Sequence, residues 1–205
     1  MLDKEKAVSK LKELKKHLRP GRVYRRAQLA RKSKSVDRHL QQLVKEGVLQ
    51  KVFGGVYYCP KKTSFGNAPP EDEKLVSAFL KDDNFYVTSL NAYNSLGVGT
   101  TQLYNEKLVY NHKRDGRHEL NGRNYYFLKR PRFPKKSSQE FLLVDLMNNL
   151  EFLAEDKKEV RKNVAEKALS MNKSKLIKAA HEFGGVRTKN FFEELLNNSN
   201  ASYAA

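Results

Sequence analysis

Across residues 24–60, YRRAQLARKSKSVDRHLQQLVKEGVLQKVFGGVYYCP, the apolar residues change rhythm. This change limits the possible folds more than any other feature of the chain. Leu29 marks the inner side of a short helical segment at about 25–31. Val36, Leu40, Leu43 and Val44 mark one side of a second at about 35–46, and the polar KSKS run makes the turn between them. Gly47 stands where a helix closes in the left-handed conformation. Beyond it, residues 48–52 and 56–58 have strand character on either side of Phe53-Gly54-Gly55.

A leading helix at 3–18 precedes this stretch, with Val8, Leu11, Leu14 and Leu18 at spacings of three and four between lysines, and Pro20 and Gly21 end it. Three helices followed by a β-hairpin is the order of a winged helix-turn-helix, a fold that commonly sits on DNA.

Charge supports a polyanionic partner. The chain carries 40 Lys plus Arg against 23 Asp plus Glu, for a formal net charge of +17. Residues 1–67 hold 18 basic and 5 acidic side chains, an excess of +13, so only +4 remains for residues 68–205. Neutralising phosphates releases condensed counterions, which favours a nucleic acid; a membrane surface or an acidic protein is the rival partner.

Successive residues of the helix at 35–46 are 100° apart, which turns Lys34, Arg38, Gln41, Gln42 and Lys45 away from the apolar side. Arg suits guanine, Gln suits adenine, and the helix N-terminus enters the major groove first. Lys34, Ser35, Arg38, Gln41 and Gln42 are therefore the candidate base contacts. Arg25, Arg26, Arg31, Lys32, Lys45 and Lys51 are the candidate phosphate contacts that fix register. Tyr57 and Tyr58 either lie near the DNA backbone or form half-buried core. The alternative for the whole domain is a module that binds protein, because fold alone does not fix function.

Residues 60–70, PKKTSFGNAPP, have linker composition. A helix at 71–81 follows, with Glu71, Asp72 and Glu73 in its first turn, where the helix dipole favours acids. Then come a strand at 85–88, a short helix at 89–97 closed by Gly97, and the rhythm of a three-stranded meander at 107–129 with Asp115-Gly116 and Asn121-Gly122 turns. From 137 onward the pattern is helical: one helix through Leu153, then three shorter ones up to Leu196. The expected fold class is α+β. It comprises a winged-helix domain at 1–62, a linker at 63–70, a mixed α/β domain at 71–196 with a small antiparallel sheet and C-terminal helices, and a disordered tail at 197–205.

A second basic cluster, Lys113, Arg114, Arg117, Arg123, Lys129, Arg130, Arg132, Lys135 and Lys136, falls on and just after the meander. It serves as a further surface for DNA backbone, as a dock for a partner or RNA, or else protects edge strands in solvent.

No catalytic set emerges. The five histidines, His17, His39, His112, His118 and His181, form no HExxH or zinc spacing, so no metal is expected. Asp72-Glu73-Lys74 resembles the end of a nuclease motif but lacks an upstream strand-borne carboxylate. Gly97-Val98-Gly99-Thr100 lacks the lysine of a phosphate loop. Neither an enzyme nor a cofactor is expected. Cys59, the single cysteine, has no internal disulfide partner, and no run approaches the roughly 18 apolar residues of a membrane span. A reduced cytoplasmic setting is the expectation.

Taken in order, Leu29 and Leu40-x-x-Leu43, the segment EGVLQKVFGGVYYCP at 46–60, SLNAYNSLG at 89–97 and EFLLVDLM at 140–147 resemble the antitoxins of AbiE-type bacterial abortive-infection systems. The resemblance covers about residues 20–150. It implies an N-terminal domain that represses its own operon at inverted repeats in double-stranded DNA. It also implies a C-terminal domain that counters a nucleotidyltransferase-like toxin encoded beside it, in the type IV manner that needs no stable complex. A winged-helix regulator without a toxin, or a protein-binding module with incidental DNA affinity, is the alternative.

Overall fold

The computed structural model describes the backbone of residues 2–201 and the side chains of residues 10–197. The chain is a mixed α+β protein with small sheets. It divides into two compact units, Met1–Asn84 with His118–Arg123, and Phe85–Arg117 with Asn124–Ala205.

The first unit runs α1 (Leu2–His17), β1 (Val23–Arg25), α2 (Arg26–Ala30), α3 (Val36–Lys45), β2 (Gln50–Phe53) and β3 (Val56–Tyr58). Its sheet has the order β1-β3-β2, antiparallel throughout. Strand β1 is absent from the sequence pattern because three residues, two of them polar or charged, are too few to show a period of two. Pairing identifies it: Val23 lies opposite Tyr58 and Arg25 opposite Val56.

Leu14, Leu18, Leu29, Val36, Leu40, Leu43, Leu49 and Cys59 form one buried cluster. Val8, expected on the packed face of α1, lies outside the described side chains. Val44 was expected in the core but is 37% exposed, and His39, at 3%, is buried instead. The buried set 36, 39, 40 and 43 centres about a quarter-turn from Val44, which explains the exchange.

Gly47 closes α3 as expected, at φ +69°. The Gly47 amide donates to the Val44 carbonyl at 3.0 Å and the Val48 amide to the Leu43 carbonyl at 2.9 Å, the paired bonds of a Schellman turn.

Residues expected as linker instead form a second hairpin, β4 (Lys61–Thr63) and β5 (Gly66–Ala68). The same Ser, Gly and Asn that suggested a linker make its tip, where Thr63 Oγ1 donates to the Gly66 carbonyl at 2.8 Å. The Tyr58 hydroxyl anchors its base by donating to the Ala68 carbonyl at 2.7 Å. Helix α4 (Asp72–Leu80) follows and packs in this unit, with Phe79 edge-on to Phe53 at 5.7 Å and Lys74 Nζ donating to the Gly21 carbonyl at 3.3 Å. The unit boundary by contacts therefore falls after Asn84, beyond the expected 63–70.

The second unit contains β6 (Phe85–Thr88), a 3₁₀ helix at Leu90–Leu96 closed by Gly97, and β7 (Lys107–Asn111). With β8 (Gly116–Leu120) and β9 (Arg123–Lys129), of which His118–Leu120 and Arg123 count with the first unit, the sheet order is β6-β7-β9-β8. The expected meander is corrected here, because β9 pairs in parallel with β7, Tyr125 opposite Lys107 and Phe127 opposite Val109. Burial accounts for the order: Tyr125, Phe127 and Leu128 need cover and take β9 inside, whereas β8, with exposed Arg117 and Glu119, suits an edge.

Helix α5 (Gln139–Asn148) is buried continuously from Phe141 to Leu146. Three helices follow, α6 (Lys157–Leu169), α7 (Lys173–Phe183) and α8 (Val186–Ala201), each longer than α5 rather than shorter as expected. Ser138, Asp156 and Asn172 accept amide hydrogens at the starts of α5, α6 and α7. Helix α8 continues past Leu196, where the helical pattern was expected to stop; residues 202–205 of the expected tail lie outside the described residues. Among the described residues no helix is long and apolar enough to cross a membrane.

Candidate nucleic-acid interface

The turn before α3 is locked from inside. Ser33 is buried, and its hydroxyl lies 2.8 Å from Nδ1 of buried His39. Burial pushes the His39 pKa below its ordinary value, and neighbouring Arg38 adds to this. With Ser33 turned inward, Lys34 and Ser35 are left exposed at the start of α3. Ser35 occupies the N-cap position, but its side chain makes no capping bond.

Arg38, Gln41 and Lys45 are exposed at spacings of three and four, on the side of α3 opposite Val36, His39, Leu40 and Leu43. None of Lys34, Arg38, Gln41 or Lys45 forms a hydrogen bond or ion pair with another described side chain. Gln42 differs. Its Nε2 donates to Glu46 Oε1 at 2.9 Å, and Glu46 Oε2 accepts from Lys15 Nζ at 3.1 Å. Lys15 first, then Gln42, holds the Glu46 carboxyl below its ordinary pKa. Gln42 thus sits on the flank tied to α1.

The phosphate candidates also separate. Arg26 Nε and Nη2 donate to the two Asp37 oxygens at 2.6 and 2.5 Å, a bidentate pair joining α2 to α3 that lowers the Asp37 pKa. Arg25 is half-buried, with its amide donating to Gln28 Oε1 at 2.9 Å. Arg31, Lys32 and Lys51 are exposed. Tyr57 is half-buried and Tyr58 is core.

The β4–β5 hairpin adds three residues that went unread in the sequence. Lys61 and Lys62 are exposed on it, and Phe65 projects fully into solvent at its tip. An apolar side chain three residues after a Lys-Lys pair, between two short pairing segments, was the available signal. The Pro and Gly content around it concealed the pairing.

The residues of the second basic cluster divide between the two units. Arg123 belongs to the first unit, where its Nη1 donates to Asp72 Oδ1 at 2.7 Å and to the Pro70 carbonyl at 3.1 Å. Arg117 donates to Glu106 at 2.9 Å and lies over the Tyr126 ring at 4.2 Å. Lys113 and Arg114 ride a turn organised by buried Asn111, whose Oδ1 accepts both their amides at 2.8 and 2.7 Å. Lys129, Lys135 and Lys136 are exposed. Arg130 and Arg132 line a cleft in the second unit.

Beneath that cleft lies a buried polar network with no counterpart in the sequence reading. The Tyr93 and Tyr110 hydroxyls each donate to Asp145 at 2.8 Å, and Asn149 Nδ2 donates to both hydroxyls at 2.9 and 2.6 Å. Burial raises the Asp145 pKa to about 6, against the lowering effect of the two tyrosines, Arg130 and Asn149. A lone aspartate inside the apolar run FLLVDLM was its signal.

Among the described residues no three His, Cys, Asp or Glu side chains gather as a metal site. No protein-family model, curated protein or solved structure matches the chain.

Proposed function

We propose that the chain is a sequence-specific regulator that binds double-stranded DNA, with the first unit acting as a winged helix and α3 entering the major groove. The observation that carries this is the unpartnered stripe Lys34, Arg38, Gln41 and Lys45, opposite a closed apolar core. The sheet order β1-β3-β2 behind three helices supports it, being the arrangement a winged helix uses.

In this role Arg38 reads guanine and Gln41 reads adenine, while Lys34, Lys45, Arg31, Lys32 and Lys51 hold phosphates. Gln42 is less available than its neighbour because Glu46 engages it. The β3 tyrosines support the scaffold.

The chain acts, on the same proposal, as a cytoplasmic antitoxin that represses its own operon and counters a nucleotidyltransferase-like toxin. That part rests on the resemblance of residues 20–150 to the AbiE-type antitoxins. Neither part requires a catalytic step or a cofactor.

Binding to duplexes from upstream of the gene, against scrambled duplexes at about 150 mM salt, tests the first part. Equal affinity for both removes sequence specificity. Co-expression with the nucleotidyltransferase encoded next door tests the second, and growth that is not restored leaves a regulator alone.

A further inference from the structure

We infer that the cleft between the β9–α5 connection, α6 and the α7–α8 turn binds a nucleoside triphosphate. Its volume, about 800 Å³, lies within the range of roughly 300 to 1,000 Å³ typical of small-molecule sites. Arg130, Arg132, Arg161, Arg187 and Lys189 line it against two carboxylates, Glu151 and Glu182, and Glu151 is already paired with Lys157. A cleft with this balance favours a multiply charged anion.

Three features make it a built site. Arg130 is held from beneath: its Nη2 donates to Asn149 Oδ1 at 3.2 Å, and Asn149 is fixed by Tyr93, Tyr110 and, through them, Asp145. A guanidinium held in this way loses little freedom when it meets a phosphate.

The second feature is the turn into α8. A Cβ at Gly184 would stand 2.5 Å from the Ala180 carbonyl oxygen, so the chain turns this tightly only with glycine. Asn148 clamps the turn, accepting from the Gly185 amide at 2.9 Å and donating to the Phe183 carbonyl at 3.0 Å. The first amide bonded within α8 is that of Lys189, to Gly185, which leaves the amides of 186–188 open at the positive end of a 16-residue helix.

The third feature is Thr188. It is 5% exposed and lines the cleft beside the open amides of 186–188. A hydroxyl at this place can donate to a phosphate oxygen.

The apolar part of the lining indicates what else the ligand carries. Met147, Leu150 and Phe191 present apolar surface, and the Arg161 guanidinium stacks over Phe191 at 5.0 Å. A planar base fits such a wall, and Glu182 offers an acceptor for a base amino group or a phosphate-bound magnesium ion.

Calorimetric titration of the full chain with ATP and with GTP, each with magnesium, tests the assignment. Guanosine, tripolyphosphate and a single-stranded oligonucleotide serve as comparisons. At least one triphosphate is expected to bind, and Arg132→Ala and Arg187→Ala are each expected to weaken it about tenfold or more, as loss of a charge-assisted bond does. Lys12→Ala is expected to leave it unchanged, and the thermal melts of all three variants should match the wild type, since these side chains are exposed.

Failure of both triphosphates to bind overturns the assignment. Tripolyphosphate binding as tightly as the nucleotides overturns the nucleoside part. An oligonucleotide that binds more tightly, with the same sensitivity to Arg187→Ala, replaces the small ligand with a nucleic acid.

Discussion

Asp145 contributes least to the stability of the second unit at the pH where most carboxylates contribute most. The carboxyl is buried under α5 among Tyr93, Tyr110 and Asn149, with Arg130 nearby, and its pKa rises from 3.8 to about 6. The folded state therefore holds this proton more tightly than the unfolded chain does. The contribution is fully present below pH 3.8, declines as pH rises from 3.8 to about 6, and is flat above. A shift of about two units corresponds to about 3 kcal/mol across that window.

Glu155 opposes this trend, because the amides of Thr101 and Gln102 and the Tyr104 hydroxyl bind its carboxylate and hold its pKa low. The informative quantity is thus the difference between wild type and Asp145→Asn in urea unfolding from about pH 4 to 7, together with a carbon-13 titration of the Asp145 carboxyl. Removing the ionisable group should make stability rise more steeply with pH than in the wild type, whatever the variant loses overall. A carboxyl midpoint below 4, or parallel pH profiles, would refute the reasoning.

In the first unit, burial and then Arg38 lower the His39 pKa, so the unfolded state binds more protons and stability falls as pH drops through 6.5, the ordinary histidine value; His39→Gln should remove that slope. Leu40→Ala, at 1% exposure, should cost about 2 to 5 kcal/mol by urea unfolding, and a loss under 1 would contradict the core described here. Gly47→Ala must adopt φ +69° and should cost about 1 to 2 kcal/mol, with no loss if the α3 terminus relaxes. Asp37→Ala frees Arg26 and removes a negative charge from α3, so affinity for duplex DNA should rise with little change in melting temperature; a fall in affinity would assign the pair a positioning role.

The helices were legible where a period of three to four had room to repeat, as in α3 and α5, and where glycine closed them, as at Gly47 and Gly97. Strand β1 was not, because its three residues are defined by pairing with β3. Hairpin β4–β5 was masked by residues that serve turns and linkers alike. The crossing of β9 past β8 depends on which strand needs burial on both faces, a property of the whole sheet. On the interface, the outward stripe of α3 followed from helical geometry, but the engagement of Arg26 by Asp37 and of Gln42 by Glu46 required side-chain positions. The cleft was invisible because its four arginines come from three separate segments.

The most direct test of the DNA-binding proposal is the affinity of Arg38→Ala for the upstream duplex and for a scrambled one, measured by fluorescence anisotropy at matched salt. A loss of about 1 to 3 kcal/mol on the upstream duplex, with little change on the scrambled one, is the predicted result. Equal affinities of variant and wild type for both duplexes would contradict the placement of α3 in the groove.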